Sequence, residues 1–169
     1  MSALSGGRVA VYPGTFDPFH KGHLDIALRA ARLFDEVVVA VYDRPAKKLL
    51  FSTRERVELI RASLADVDGR RIVVDEYSEL SVQYARARGA LAMVRGLRTE
   101  LDFAYEYQLT AMNRHMAPEV ETVFLVTDPT LAHISSTLIK EVAAGGARIE
   151  ALVPTPVAEA LLRRLERTP

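Results

Sequence analysis

Five short apolar runs, rich in valine and isoleucine, alternate along the chain with segments of helical period. Runs of this kind are typical of strands that are buried on both faces of a sheet. We predict strands at 8–12, 36–42, 71–77, 91–94 and 122–127. Because helical segments separate these runs, the pattern predicts a doubly wound α/β fold, with five parallel strands and helices on both faces.

Six helical segments separate and follow these strands. The first has an apolar stripe at helical spacing, which predicts the face that packs on the sheet and consists of Leu24, Ala27, Leu28 and Ala31. The second begins with a Ser-x-x-Glu capping box at Ser52 and Glu55. The others are predicted at 82–88, from about residue 99, at 135–144 and at 157–167, and we expect the last to dock on the core. No linker or repeat interrupts the pattern, so residues 1–169 are predicted to form a single domain.

The fourth helix carries a stripe of large apolar side chains, formed by Leu101, Tyr105, Leu109, Met112 and Met116. Such a stripe is more typical of core or subunit packing than of a cofactor site, and we interpret it as packing. Glu106 lies on the same helix. From spacing alone, its carboxylate either orients a ribose or base or belongs to a solvated helix face.

Composition narrows the function classes. The chain has 22 Lys and Arg against 22 Asp and Glu and contains no cysteine. A zero net charge argues against a nucleic-acid binder or a membrane-surface protein, and the lack of cysteine excludes disulfides, thiolate metal sites and cysteine nucleophiles. No apolar run approaches the roughly 20 residues of a membrane span, and the first eight residues lack a signal core. We therefore expect a soluble, cytoplasmic protein.

The residues that follow the strands suggest chemistry, since ligands of doubly wound sheets bind beyond the carboxyl ends of the strands. Four of these segments suit phosphate groups: 13–23, 43–48, 95–98 and 134–137. Neither Gly-x-Gly-x-x-Gly nor Gly-Lys-Ser/Thr occurs, which disfavours a dinucleotide dehydrogenase and a P-loop NTPase. A different phosphate-binding arrangement is therefore expected.

Each segment also has a simpler interpretation when it is taken singly. The His20-x-Gly22-His23 element could present an imidazole to a phosphate at a helix start, or its residues could be ordinary turn and surface residues. Zinc ligation by these histidines with Asp17 and Asp25 is disfavoured, because the chain lacks His-Glu-x-x-His. We expect no metal held by protein side chains.

The same two interpretations apply to the other segments. Lys47 and Lys48 form either a phosphate clamp or a solvated pair. The two arginines of Arg95-Gly96-Leu97-Arg98 either bind phosphate bidentately or pair with nearby carboxylates such as Glu100 and Asp102. Ser135-Ser136-Thr137 is either a nucleotide-binding helix start or only an N-cap.

The combination is more specific than its parts. In their order and spacing, Pro13-Gly14-Thr15-Phe16-Asp17-Pro18, His20-Lys21-Gly22-His23, Arg95-Gly96-Leu97-Arg98 and Ile134-Ser135-Ser136-Thr137 closely resemble the bacterial phosphopantetheine adenylyltransferases of the nucleotidyltransferase superfamily. The resemblance extends from Val9 to about Leu165 and includes the tyrosine-rich segment 102–109. It implies a Rossmann-like fold.

The resemblance also implies an activity. ATP and 4′-phosphopantetheine would give dephospho-coenzyme A and pyrophosphate, which is the penultimate step of coenzyme A synthesis. The implied cofactor is Mg²⁺, bound mainly through the ATP phosphates. A homohexamer is implied, with coenzyme A as a feedback inhibitor.

Site residues carried over by position fall into three groups. The catalytic group is His23, Lys47 and Arg95, with His23 at the α-phosphate. The substrate group, for phosphopantetheine, is Thr15, Lys47, Ser81 and Arg95. The ATP group is Thr15, Phe16, His23, Gly96, Leu97, Arg98, Glu106, Leu131, Ala132, His133, Ile134, Ser135, Ser136 and Thr137.

Two rival hypotheses stay open. The nearest is another small-molecule nucleotidyltransferase, acting on nicotinamide mononucleotide or using a cytidylyl donor. The second is a non-catalytic nucleotide-binding module on a similar sheet, which the association of His23 with Lys47 and Arg95 disfavours.

Overall fold

The computed structural model describes residues 7–67 and 71–166, which are built around one sheet of five parallel strands. The strands are β1 (Val9–Gly14), β2 (Glu36–Tyr42), β3 (Ile72–Tyr77), β4 (Ala92–Leu97) and β5 (Glu121–Val126). Their order across the sheet is β3-β2-β1-β4-β5. The predicted doubly wound sheet is thus confirmed, and the winding reverses between β1 and β4.

Helices cover both faces of the sheet, as predicted. They are α1 (Lys21–Leu33), α2 (Thr53–Ser63), α3 (Ser81–Ala87), α4 (Glu100–Met116), α5 (Ser136–Ala144) and α6 (Thr155–Glu166). One core cluster joins the sheet to α1, α2, α5 and α6, and a second joins the other face to α3 and the end of α4. In α6, Val157 and Leu161 are fully buried, so its docking is confirmed; residue 167 of the prediction lies outside the described residues. None of the helices in the described ranges is long and apolar enough to span a membrane.

Helix α1 turns a slightly different face to the sheet than predicted. Its buried residues are Gly22, Ile26, Ala27 and Ala30, whereas Leu24 and Ala31 are only partly buried at the edge of the core. This face is buried because Ile26 packs closely on Gly96 of β4. A Cβ added at Gly96 would lie only 3.1 Å from Ile26 Cγ1. Ile26 is therefore a core residue that the predicted stripe left out.

Two strands extend further than predicted. In β1, Pro13 and Gly14 pair with Ala40 and Val41 of β2. In β4, the residues 95–97 pair with β5 as far as Val126, so Arg95 and Gly96 lie in the last half of the strand and not after it. The physical reason is that these ladders are completed by a neighbouring strand, whatever the local preference of proline, glycine or arginine.

The β1 and β4 strands separate before they end. They pair only through Ala10 with Ala92 and Val11 with Met93, while β1 pairs with β2 along six residues. Pro13 lacks the N–H that a ladder needs, and its carbonyl accepts a hydrogen bond from the Arg95 side chain at 3.0 Å. The separation opens a crevice where the winding of the sheet reverses.

Arg56 joins the ends of β1 and β2 to α2. The residue is 1% exposed, and its Nη1 donates to the carbonyls of Thr15 at 2.6 Å and Tyr42 at 2.9 Å. Its Nη2 donates to the Thr53 hydroxyl at 2.8 Å. One buried guanidinium thus fixes the two chain segments that leave the central strands.

We predict that Arg56→Ala lowers the free energy of unfolding by about 3 kcal/mol, because it leaves two carbonyls without a donor and creates a cavity. Urea denaturation measures the loss. The matched control is Arg54→Ala on the same helix, where the side chain is 88% exposed and pairs with Glu58. That change should stay within about 0.5 kcal/mol of the wild type, and equal losses in the two variants would contradict the prediction.

Candidate active site

A cleft of about 320 Å³ lies beyond the carboxyl ends of β1 and β4. Doubly wound sheets bind their ligands in the crevice at this position. The residues that line it are Tyr12, Pro13, Gly14, Phe16, His20, Gly22, His23, Ile26, Lys47, Arg95, Gly96, Arg98, Asp102, Glu106, Thr127, Leu131, Ser135, Ser136 and Thr137. The four phosphate-friendly segments of the sequence therefore meet in one place.

The loop between β1 and α1 forms one wall of the cleft. Phe16 has a φ of 53°, a left-handed backbone that is uncommon for a large side chain, and its ring lies against Gly14. A Cβ at Gly14 would lie 2.7 Å from that ring, so the close approach requires glycine at this position. The Gly-Thr-Phe turn is therefore shaped by packing as well as by any ligand.

Asp17 holds this loop against two others. Its carboxylate is 2% exposed and accepts hydrogen bonds from the backbone N–H groups of Leu50 and Phe51. It also pairs with Lys140 of α5 at 2.8 Å. These partners fix the segment that precedes α2, which also carries Lys47, and so Asp17 has a structural role.

His20 and His23 begin α1 with a reciprocal cap. The His20 side chain accepts from the His23 N–H, and the His23 side chain accepts from the His20 N–H. Burial, and then the charge of Arg98, lower the pKa of His20 to about 3. Burial, followed by electrostatic interactions with His20, Arg98 and Arg95, holds the pKa of His23 well below its usual value. Both imidazoles are therefore neutral at pH 7.

Arg95 is held from two sides at the centre of the cleft. Its Nε and Nη2 donate to the two carboxylate oxygens of Glu106, at 2.8 and 2.5 Å, and its Nη1 donates to the Pro13 carbonyl. Glu106 is 8% exposed and is wholly engaged by this pair. Of the two interpretations of Glu106, the structure therefore excludes the solvated helix face.

Arg98 is likewise held by a carboxylate and a backbone carbonyl. Its Nε and Nη2 donate to Asp102 at 3.1 and 3.2 Å, and its Nη1 donates to the Ile134 carbonyl at 3.2 Å. The sequence alternative of pairing with Asp102 is thus observed, and Arg98 still lines the cleft. Within the described residues, the contacts of each arginine leave two of its five N–H groups for a ligand.

Lys47 and the start of α5 complete the cleft. Lys47 is exposed and makes no hydrogen bond or ion pair with any residue in the part of the chain that the structure describes. Ser135 is the N-cap of α5, since its hydroxyl accepts from the Leu138 N–H at 3.1 Å, and the Ser136 hydroxyl donates to the Pro18 carbonyl. Ser135, Ser136 and Thr137 line the same cleft as Lys47, and the first backbone N–H groups of a helix lack acceptors within the helix.

Not every predicted site residue lines the cleft. Those that do are Phe16, His23, Lys47, Arg95, Gly96, Arg98, Glu106, Leu131, Ser135, Ser136 and Thr137. Those outside its lining are Thr15, Ser81, Leu97, Ala132, His133 and Ile134. Thr15 offers its carbonyl to Arg56, Ser81 is the first residue of α3, and Ile134 is a core residue. Their roles stay predictions.

Sequence reasoning missed several residues that shape the site. Tyr12, Ile26, Asp102 and Thr127 line the cleft without having been predicted there. Arg56 could have been found, because a cation next to Val57 and one turn before Ile60 falls on the apolar face of α2. No local signal marks Tyr12 or Thr127, which only the sheet brings to the cleft.

Comparison with known proteins first gives a class. The cytidylyltransferase-like family model matches residues 11–142, from β1 into α5. A solved structure of a bifunctional NMN adenylyltransferase/ADP ribose pyrophosphatase from Francisella tularensis, complexed with AMP and a manganese ion, has a TM-score of 0.71 at 16% identity. It aligns with 96% of this chain, which spans half of that protein, and the likeness concerns the fold. The family match, together with this fold, identifies a nucleotidyltransferase.

Closer relatives narrow the class. The phosphopantetheine adenylyltransferase of Roseiflexus sp. is 48% identical over 94% of this chain and 98% of its own length. Those of Desulforudis audaxviator and Caldanaerobacter subterraneus are 49% and 44% identical over 92% and 95% of this chain, and the matches cover 94% and 99% of those relatives. This chain belongs to the phosphopantetheine adenylyltransferase family.

We predict that acid destabilises the protein through His20. Its folded pKa of about 3 lies below the ordinary value of 6.5, so the unfolded chain binds a proton that the folded chain does not. The stability that is present above pH 6.5 is then lost as the pH falls, by about 1.4 kcal/mol per pH unit for this group. Urea denaturation at several pH values between about 7 and 5 should show a shallower loss in His20→Asn, which keeps an N-cap acceptor. Equal slopes in the two proteins would contradict the prediction.

Proposed function

We propose that this chain transfers the adenylyl group of ATP to 4′-phosphopantetheine, giving dephospho-coenzyme A and pyrophosphate. The relatives that match nearly the whole chain are named for this activity. The observation that carries the proposal is the convergence of Lys47, Arg95 and Arg98 with His23 where the winding of the sheet reverses. The step is the penultimate one of coenzyme A synthesis.

The chemistry needs cations more than it needs a base. A phosphate monoester is already ionised near neutral pH, so its oxygen attacks the α-phosphorus of ATP directly, and the bond to the β-phosphate oxygen breaks in line. The obstacle is repulsion between two polyanions. Lys47 and Arg95, with Thr15 and Ser81, would hold the acceptor, while Arg98, Glu106 and the start of α5 would hold ATP.

His23 would act at the reacting phosphorus. As a neutral imidazole it is able to donate a hydrogen bond to an α-phosphate oxygen, whose charge changes as pyrophosphate leaves. Arg95 and Arg98 are already oriented by Glu106 and Asp102. Such preorganisation means that little reorientation is needed when the transition state forms.

We further propose that Mg²⁺ enters with ATP and is held mainly by the phosphate oxygens. The two carboxylates that line the cleft, Asp102 and Glu106, are engaged with arginines, and the described residues contain no group of three or more His, Asp or Glu side chains placed to hold a metal. The ion would supply further neutralisation of phosphate charge.

The exposed face of α4 supports assembly into the proposed homohexamer. Leu101, Tyr105 and Met112 lie on one side of the helix and are 83%, 66% and 59% exposed. The stripe is predicted to serve in packing, and within one chain these three residues are not packed in the core. An apolar face of this kind marks a contact with another protein, and we propose that it contacts other copies of this chain.

Coenzyme A carries both the pantetheine arm and the adenylyl group that the cleft is proposed to hold. We therefore propose that it competes with both substrates as a feedback inhibitor. Since ATP is a cytoplasmic nucleotide, we place the reaction in the cytoplasm.

The proposed activity is tested by a coupled assay of pyrophosphate release. We expect turnover with ATP and 4′-phosphopantetheine, and none when CTP replaces ATP or nicotinamide mononucleotide replaces the acceptor. Turnover only with nicotinamide mononucleotide would favour the nearest rival. ATP binding without turnover of any acceptor would favour a non-catalytic module.

We predict that His23→Ala reduces turnover by about 100- to 1000-fold, because a preorganised donor to the transition state is lost. ATP binding, measured by isothermal titration calorimetry, should change little since the arginines and the start of α5 remain. His115→Ala, at an exposed position of α4, is the control and should keep its turnover. Near-normal turnover in His23→Ala would remove His23 from the mechanism.

We predict that Leu101→Glu combined with Met112→Glu breaks the assembly into smaller species, because the new carboxylates would be buried without partners where the copies meet. Light scattering coupled to gel filtration measures the mass. The control is Leu33→Glu at the end of α1, which is 50% exposed and lies away from α4. A monomeric wild-type protein, or an unchanged mass in the double variant, would contradict the proposed interface.

A further inference from the structure

The two histidines at the start of α1 constrain each other's protonation. The backbone N–H of His23 donates to Nδ1 of His20, and the backbone N–H of His20 donates to Nδ1 of His23, each at 3.3 Å. A neutral imidazole has one N–H and one acceptor nitrogen, so a ring that accepts at Nδ1 carries its proton on Nε2. Both rings are therefore in the Nε2–H form.

Aromatic contacts hold the His23 ring in place. The His20 ring stacks on it with a centroid distance of 3.5 Å and an angle of 21°, and Phe19 stacks on it at 5.6 Å and 26°. Phe16 meets it edge-on at 5.0 Å. Since Nδ1 is tied to the backbone, the Nε2–H edge of His23 is the edge left for the cleft.

Gly22 makes room for this pair. A Cβ at position 22 would lie 3.1 Å from both Cε1 and Nδ1 of His20, which is tighter than most Cβ contacts, so the His20 ring would have to shift. The spacing of the motif thus has a structural reason. The i and i+3 positions cap each other at the helix start, and the glycine between them leaves space for the first ring.

The charges around the pair favour neutral rings. Arg98 faces both rings and Arg95 faces His23 from the end of β4, and both charges are positive. The carboxylates that line the cleft, Asp102 and Glu106 of α4, are paired with these arginines. On α1 itself, Asp25 is paired with Arg29. Lys47 adds a further positive charge to the cleft. The ring centroid of Tyr12 in β1 lies 6.5 Å from that of His23.

We propose that His20 is a positioning residue, which holds His23 as a neutral imidazole with its Nε2–H presented to the substrate phosphate. His23 then donates a hydrogen bond throughout the reaction and transfers no proton. The identity of the ligand rests on the proposed adenylyl transfer, but the state of the rings belongs to the free protein. His20 acts through His23 and the start of α1.

The first test is long-range ¹H–¹⁵N NMR of the imidazole rings in the free wild-type protein, which has four histidines. We expect the rings of His20 and His23 to show the Nε2–H pattern, unchanged from about pH 8 to about pH 5.5. His115 and His133 are exposed and provide internal references, and His115→Gln assigns one of them. An Nδ1–H pattern for His23, or its titration in this range, would overturn the proposal.

Variants of His20 separate positioning from simple folding. In His20→Ala, the cap acceptor and the stacking ring are lost, so we expect mixed tautomers at His23 and turnover reduced by about tenfold, a common effect of losing a partner that orients a functional imidazole. The KM for ATP should change less than kcat. His20→Asn keeps an acceptor at the N-cap and should restore the Nε2–H pattern and most of the turnover.

An unchanged His23 spectrum in His20→Ala would contradict the positioning role, whatever the activity. A wild-type protein that shows the expected tautomers but releases no pyrophosphate would instead contradict the proposed function alone. The positioning role of His20 is therefore tested by the NMR spectrum, and the proposed function is tested by pyrophosphate release.

Discussion

The buried charges of Arg56 and Asp17 are the constraint on which the cleft depends. Arg56 binds the carbonyls at which the chain leaves β1 and β2, and Asp17 binds the backbone before α2 and the amine of Lys140 on α5. Burying such groups is costly unless their hydrogen bonds are satisfied, so each side chain stays buried only while several segments keep their positions. The walls of the cleft are for this reason fixed together.

Within these walls, the site follows from the way in which β1 and β4 separate. The β1–β4 ladder ends before Pro13, which has no N–H to donate, and the Pro13 carbonyl instead accepts a hydrogen bond from the Arg95 side chain of β4. Glu106 then neutralises Arg95, as Asp102 neutralises Arg98. The free cleft therefore avoids a dense block of unpaired positive charge. It still presents oriented N–H groups and Lys47 to a polyanion.

The sequence pattern predicts the features that depend on neighbouring residues in the chain. It does not predict the features that form only when strands pair in the sheet. Strand β2 was predicted to the residue, because it is flanked by β1 and β3 and its valines are buried on both faces. The ends of β1 and β4 were not, since proline, glycine and arginine are typical of loops and only a neighbouring strand extends them. Most of the candidate site was predicted from the family resemblance. The pairing of Arg95 with Glu106 depends on how α4 packs beside β4, whereas local spacing offered only nearer carboxylates, such as Glu100 and Asp102, as one of two alternatives.

Helix α4 connects the charge balance of the chain to its proposed assembly. Its buried residues are Glu106 and Asn113, and Glu106 ties the helix to Arg95 of β4, whereas the apolar core is reached only near the end of α4, at Met116. The large apolar side chains of α4 point outward instead, at Leu101, Tyr105 and Met112. If neighbouring copies cover that outer face, they restrict the motion of the helix whose carboxylates orient both cleft arginines. Overall neutrality, 22 charges of each sign, thus hides a local order in which acids on one helix position two of the cations that are proposed to bind the phosphates.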